Sequence, residues 1–307
     1  MKYIYLLAGE DLELAEAELN GFLKSQCIDE EASKTSRIVE TEAEPIQLKR
    51  LALTHEVSKK IGEASRLEEL DMNIDFSGSF AVRAENITEK KKEKEDIERE
   101  LGENLETDEN KVDLDDPETV FRAYILDEKI ILGKIVEDIK RGLFRKRKND
   151  ERPFSSPVSL DPVLARVLVN LSGVKPGEHL VDPFCGTGGL LIEAGLCGVG
   201  VHGRDISEDM VEGSRENLEK YGIINHDIEK CKVSEISDIE KFDTIVTDLP
   251  YGKASKKTSG AVDNFLNLVE DFEGKTVFMY NEPSLRDYEA DFSVYVHKNL
   301  TRHIFVI

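Results

Sequence analysis

Two short stretches carry residue types whose order suits chemistry on bound molecules. In VDPFCGTGGLLIEAG, residues 181–195, an apolar run ends at Asp182 and passes through Gly186, Gly188 and Gly189 into a helix-like segment. A glycine turn between strand and helix lets backbone approach a ligand closely. In TDLPYG, residues 247–252, the buried-strand pattern FDTIV delivers Asp248, Leu249, Pro250 and Tyr251 in a row: a carboxylate, a stiffened peptide and a flat ring.

Two ligands are compatible with the glycine turn. A nicotinamide dinucleotide wants G-x-G-x-x-G with its pyrophosphate on the helix start, but Leu191 stands at the third glycine position, and Asp182 would repel a pyrophosphate. S-adenosylmethionine instead carries an ammonium and a sulfonium and no phosphate, so a carboxylate at the strand end suits it. Asp205, ending the run GVHGRDIS about 20 residues on, has the separation of an acid that accepts from ribose hydroxyls. The second motif suits an exocyclic purine amine, whose lone pair is delocalised into the ring. Acceptors on its two N–H groups, Asp248 Oδ and the Leu249 carbonyl, favour a pyramidal nitrogen. Pro250 fixes the turn and Tyr251 offers a face for an extruded base. Alone, DLPYG is equally a strand-end turn with a buried tyrosine; downstream of the glycine turn, the amine site is the stronger reading.

DPFCGTGG followed by DLPYG resembles the S-adenosylmethionine-dependent amino-methyltransferases. More narrowly, it resembles the archaeal and eukaryotic tRNA enzymes that methylate N2 of guanosine at position 10. RPFSSPVSLDPVLARVLVNLSGVKPGE, residues 152–178, is similar to that family's lead-in, and residues 76–150 resemble its THUMP RNA-binding domain. The resemblance implies that Asp182, Gly186 and Gly188 hold the cofactor's amino acid end and Asp205 its ribose, with Phe184, Ile206 and Val233 also cofactor-binding. It assigns Asp248, Leu249, Pro250 and Tyr251 to the target amine. Two positions depart from the family pattern: Leu249 stands where proline is usual, loosening the backbone, and KCKVSEIS offers Lys232 where an acid usually meets the adenine amine, leaving backbone near Lys232 and Val233 for that contact. These departures raise a rival reading, an inactive RNA-binding partner with a methyltransferase fold. Other rivals are the same chemistry on another tRNA or ribosomal RNA guanosine, or on a DNA adenine.

The elements that must position these residues follow from pattern. From residue 151, HLVDPF, GVHGRDI, IEKCKVS, FDTIVTDLP and KTVFMY alternate with helix-length segments, which predicts parallel βαβ units; SVYVHKN and TRHIFVI follow as a hairpin. The expected fold class is α/β, with a C-terminal seven-stranded Rossmann-like sheet, mostly parallel with an antiparallel hairpin, over residues 151–307. Before it stand an α+β, ferredoxin-like unit over 1–75 and the THUMP-type unit over 76–150. In the first, KYIYLLA is a strand, Leu12, Leu19 and Phe22 mark a helix, and a second helix is expected from Pro45 to Gly62. In the second, SFAVRA is a strand, Ile97, Leu101 and Leu105 share a helix face, and residues 119–136 form a hairpin turning at Asp127 and Glu128.

With 41 Lys and Arg against 63 Asp and Glu, the net charge of −22 by itself opposes a polyanionic partner. IKRGLFRKRKNDER, residues 139–152, reverses that locally with seven basic residues against two acids. Lys140, Arg141, Arg145, Lys146, Arg147 and Lys148 are the expected tRNA contacts, with Lys253, Lys256 and Lys257 as further phosphate candidates. Cys27, Cys185, Cys197 and Cys231 show neither metal nor disulfide spacing, and Cys185 reads as a small residue filling the glycine turn. No metal is expected. No span approaches the roughly 18 apolar residues of a membrane helix, so a cytoplasmic protein without membrane contact is expected; a small activator subunit is left unassigned.

Overall fold

The computed structural model describes residues 2–30, 32–88, 93–157, 159–236, 239–251, 255–297 and 300–307, without the side chains of residues 255–259 and 297. The first half runs β1 (Tyr3–Leu7), α1 (Leu12–Ser25), β2 (Ser33–Thr35), β3 (Ile38–Thr41), β4 (Thr54–Ala64), β5 (Gly78–Asn86), α2 (Lys94–Leu105), β6 (Asn110–Val112), β7 (Thr119–Ile125) and β8 (Ile130–Asp138). The second runs α3 (Pro162–Leu171), β9 (His179–Asp182), α4 (Gly189–Gly195), β10 (Gly200–Asp205), α5 (Glu208–Lys220), β11 (His226–Lys230), β12 (Thr244–Asp248), α6 (Ser255–Glu270), β13 (Lys275–Tyr280), β14 (Ser284–Leu285), β15 (Tyr288–Glu289), β16 (Phe292–His297) and β17 (Leu300–Val306). None of the helices among the described residues is long and apolar enough to cross a membrane.

The chain forms two compact units, and their borders differ from those expected. One unit comprises residues 1–12, 29–49 and 54–140; the other comprises 13–28, 50–53 and 141–307. The boundary expected at residue 75 falls inside a single eight-stranded sheet of order β2-β3-β1-β4-β8-β7-β5-β6, because β4 pairs with β1 on one side and β8 on the other. The helix expected between Pro45 and Gly62 is instead a 3-10 turn at Leu48–Arg50 followed by β4. Two ladders outweigh the helical spacing of its apolar residues, and Gly62 sits where the β4–β8 register shifts, marking a bulge rather than a helix end. The β7–β8 hairpin forms as expected, and α2 buries Ile97, Leu101 and Leu105 against Phe80 and Phe121.

The other unit contains a seven-stranded sheet of order β11-β10-β9-β12-β13-β17-β16. β9 to β13 are parallel, and β17 runs antiparallel to both β13 and β16. The chain moves outward from β9 through β10 to β11, then returns to lay β12 on the other side of β9. Ligands of open α/β sheets bind at such a reversal, outside the carboxyl ends of the strands. The small β14–β15 hairpin has no counterpart in the sequence reading, and β11 begins two residues before the run expected for it.

Helix α1 belongs to this second unit through a buried polar network. Glu18, with no exposure, accepts from the backbone N–H groups of Ala52 (2.7 Å) and Leu53 (2.8 Å) and from Asn170 Nδ2 (2.7 Å). Arg50 donates to Asn170 Oδ1 and the Val174 carbonyl, both at 2.7 Å. Gly21 lies so close to α3 that a Cβ would stand 2.0 Å from the Asn170 carbonyl oxygen. Glu18→Ala strands the Ala52 and Leu53 N–H groups and leaves Asn170 Nδ2 only the Arg50 carbonyl (3.1 Å); it should cost about 2–4 kcal/mol, read as a lower urea midpoint with an unchanged slope.

Candidate active site

The glycine turn follows β9 directly. Gly186 has φ +50° with open space where a side chain would stand, and Gly188 has φ +75° with Ser214 Oγ 2.4 Å from its would-be Cβ. A side chain is strained at the first and clashes at the second. Cys185 is buried and its N–H donates to the Arg204 carbonyl (3.0 Å), which supports its reading as a filler of the turn.

Asp182, at the end of β9, is 3% exposed. Its Oδ1 accepts from Thr247 Oγ1 (2.6 Å) and the Phe184 N–H (3.0 Å). Burial dominates, raising the carboxyl from its usual 3.8 to about 7 against these hydrogen bonds. Asp205 ends the adjacent strand β10; its Oδ2 accepts from the Gly186 N–H (3.1 Å) and its Oδ1 from the Ser207 N–H (2.9 Å). The two carboxylates thus flank the glycine turn, as sequence spacing implied. Ile206 is 71% exposed beside Asp205, whereas Val233 is buried. Lys232 is occupied by Glu235, through Nζ (2.8 Å) and its backbone N–H (3.3 Å). The donor set fits S-adenosylmethionine: a buried acid wanting a cation, an open glycine backbone, an acid at the next strand end, and an exposed aliphatic side chain for an apolar ring.

Asp248 closes β12, the neighbour of β9 on its other side, so Asp205, Asp182 and Asp248 end three adjacent strands. Leu249 differs from the loosened residue expected. Its N–H donates to the Met279 carbonyl (2.9 Å), a bond proline lacks the hydrogen to make, and its side chain packs at 1% exposure with Val262, Phe265 and Phe278. The peptide joining Asp248 to Leu249 is therefore pinned to β13, one peptide before the Leu249–Pro250 bond. Pro250 and Tyr251 are half-buried.

One residue of this site escaped the sequence reading. Arg302, on β17, forms an ion pair with Asp248 through Nη2 and Oδ1, and its Cζ lies 4.2 Å from the centre of the Tyr251 ring. Because β17 runs antiparallel, its early residues reach the edge where the parallel strands end. Met279 pairs with Ile304 and Tyr280 with His303, which puts Arg302 just beyond the end of β13. The guanidinium is nearly buried, and desolvation lowers it to about 10, so it stays cationic at neutral pH.

The family model for an RMKL-like methyltransferase domain matches residues 149–272. Over the whole chain, the sequence is 37% identical to 99% of a tRNA (guanine(10)-N2)-dimethyltransferase from Methanothermobacter thermautotrophicus. The chain belongs to that methyltransferase family. A second relative of the same name, from Pyrococcus abyssi, is 34% identical across 79% of this chain and 76% of its own. TrmN from Thermus thermophilus, 20% identical, shares the fold with a TM-score of 0.57 over 100% of this chain and 99% of its own.

In this methyltransferase the basic stretch divides into two kinds of residue. Arg147 is spent internally: its Nε and Nη2 grip the fully buried Glu193 (2.6 and 3.0 Å), which Arg166 also meets (2.8 Å), and its guanidinium lies over Phe144. That pairing is a structural use of a residue expected at the RNA. Lys140, Arg145, Lys146 and Lys148 are exposed, the last 3.8 Å from Asp161, and Arg141 is half-buried. Lys253 and the side chains of Lys256 and Lys257 lie outside the described residues.

Proposed function

We propose that this chain is a cytoplasmic enzyme that methylates N2 of guanosine at position 10 of tRNA, twice, using S-adenosylmethionine. The observation that carries the reading is Asp248 at the end of β12, one strand from the buried Asp182, followed by a peptide pinned to β13 and an aromatic ring. The names of the full-length archaeal relatives support the nucleoside, the position and the double transfer.

Bound S-adenosylmethionine supplies a methyl carbon on a cationic sulfur. Asp182 and the backbone at Gly186 and Gly188 hold its amino acid end, Asp205 its ribose hydroxyls, with Phe184, Ile206 and Val233 around them. Asp248 Oδ and the Leu249 carbonyl accept from the two N–H groups of the target amine, directing the nitrogen lone pair toward the position of the methyl carbon. Tyr251 stacks the extruded base, worth roughly 1–3 kcal/mol. The methylated nitrogen, briefly cationic, releases its proton to water, so no strong general base is required. Residues 76–150 act as a THUMP-type module.

Mass spectrometry of nucleosides and of nuclease fragments, after reaction of the purified protein with unmodified tRNA, tests this. N2,N2-dimethylguanosine at position 10 is expected; modification elsewhere, or none despite intact cofactor binding, overturns it. Within the basic stretch, Arg145→Ala and Lys146→Ala should each lower tRNA affinity and reduce the salt dependence by about one unit of log–log slope. Arg147→Ala should instead lower thermal stability, because it leaves Glu193 short of a partner.

A further inference from the structure

Guanine contains a guanidine: N1, N2 and N3 around C2. Arginine carries the same three-nitrogen plane, and in this protein it lies on the two groups assigned to the base. Nη2 is ion-paired with Asp248 Oδ1, the acceptor assigned to the N2 amine, and Cζ lies over the Tyr251 ring where C2 would. Arg302 is 3% exposed, yet neither its Nε nor its Nη2 makes a hydrogen bond, so among the described groups its burial rests on the ion pair with Asp248 and the contact with the Tyr251 ring. Resting on the assignment of residues 248–251 to the target amine, we propose that Arg302 is an internal stand-in for the guanidine edge of guanine, displaced by the incoming base.

Two consequences follow from the chemistry. First, a site already shaped around a guanidine favours guanine over adenine. Adenine's amine is attached to a ring carbon flanked by only one nitrogen, which accepts and cannot donate. Second, the stand-in must leave before methyl transfer, because the target nitrogen gains positive charge as its bond to carbon forms, and a fixed cation on Asp248 would oppose it. The side chain of Asp248 is 25% exposed, so water is at hand to hydrate a departing guanidinium. While Arg302 is seated, only a fraction of the protein is open to the base, and apparent affinity is reduced by that fraction.

Steady-state methylation by Arg302→Met and the parent protein, with and without millimolar methylguanidine, tests the proposal. Arg302→Met should lower KM for tRNA by about fivefold, the size of one cation–π contact, with S-adenosylmethionine affinity unchanged. Methylguanidine should compete with tRNA in Arg302→Met and leave the parent unaffected, because the parent's own guanidinium holds the site. An unchanged or raised KM, or restoration of a lost kcat by methylguanidine, overturns the proposal and makes Arg302 a fixed member of the working site. If Arg302→Met fails to fold, Arg302→Lys replaces it, since an ammonium keeps the charge without the plane; a lower KM supports the stand-in and a parental KM overturns it. Asp248→Ala separates the two levels: full activity there defeats the amine-site reading itself, whereas its inactivity beside a parental KM in Arg302→Met defeats only the stand-in.

Discussion

Asp248→Ala lowers kcat for tRNA methylation by about 10²–10³-fold, the loss seen when one acceptor or donor aimed at developing charge is removed, while S-adenosylmethionine binds as before. The separation is expected from where the groups sit. Asp182 and Asp205 end β9 and β10, whereas Asp248 ends β12 and forms its ion pair with Arg302 on the far side from β10. Removing its carboxylate leaves Leu249 in place, because the Leu249 N–H donates to the Met279 carbonyl and its side chain is buried. The amine then keeps one acceptor and loses the other, and its lone pair is no longer directed. Asp248→Asn retains an oxygen acceptor and should lose less. Single-turnover kinetics with saturating tRNA, alongside calorimetric titration of the cofactor, checks both arms. An Asp248→Ala enzyme within a factor of a few of the parent would leave the chemistry to residues other than the DLPY run.

What the sequence disclosed depends on how local each cause was. β9 and β12 are short apolar runs, β10 is a run bounded by turn residues that also carries His202 and Arg204, and each ends in the acid that marks the site. β4 was not legible because its central place between β1 and β8 is a tertiary fact, and its helical spacing with a glycine stop imitates another element. Nor was the partition of α1, since Glu18 reaches Asn170, 152 positions along the chain. Arg147 looked like one more tRNA contact in a basic run; its partner Glu193 lies inside α4, and only proximity reveals the pairing. Arg302 left a signal that went unread. In β17 the period-two face reads Leu300, Arg302, Ile304 and Val306, a cation among apolar positions, and a buried charge in such a face implies a partner. Naming Asp248 as that partner also needed the strand's direction, which the hairpin pattern supplied.

The proton on Asp182 connects the site to pH. In the cofactor-free fold its carboxyl is raised from the usual 3.8 to about 7, chiefly by burial. A folded-state value above the unfolded one means the fold holds this proton more tightly. Its contribution to stability is present in full below the unfolded value and is lost as pH rises through about 7. A cationic ammonium beside the carboxylate reverses the preference, so binding must expel the proton wherever it is still held. S-adenosylmethionine affinity should therefore level off as pH rises above 7 and fall by about tenfold per unit well below it. Calorimetry at acidic pH in two buffers of different ionisation enthalpy should report nearly one proton released per cofactor bound. Asp182→Asn gives the complementary result. Thr247 and the Phe184 N–H both donate to Oδ1, which the asparagine oxygen replaces, so the fold is kept and the cofactor-free variant gains stability over the parent as pH rises above 7. Its cofactor affinity should be weak and no longer fall with acidity over that range. Proton release absent in the parent, or unaltered in Asp182→Asn, would mean that Asp182 is ionised before the ligand arrives and that another group governs the pH dependence.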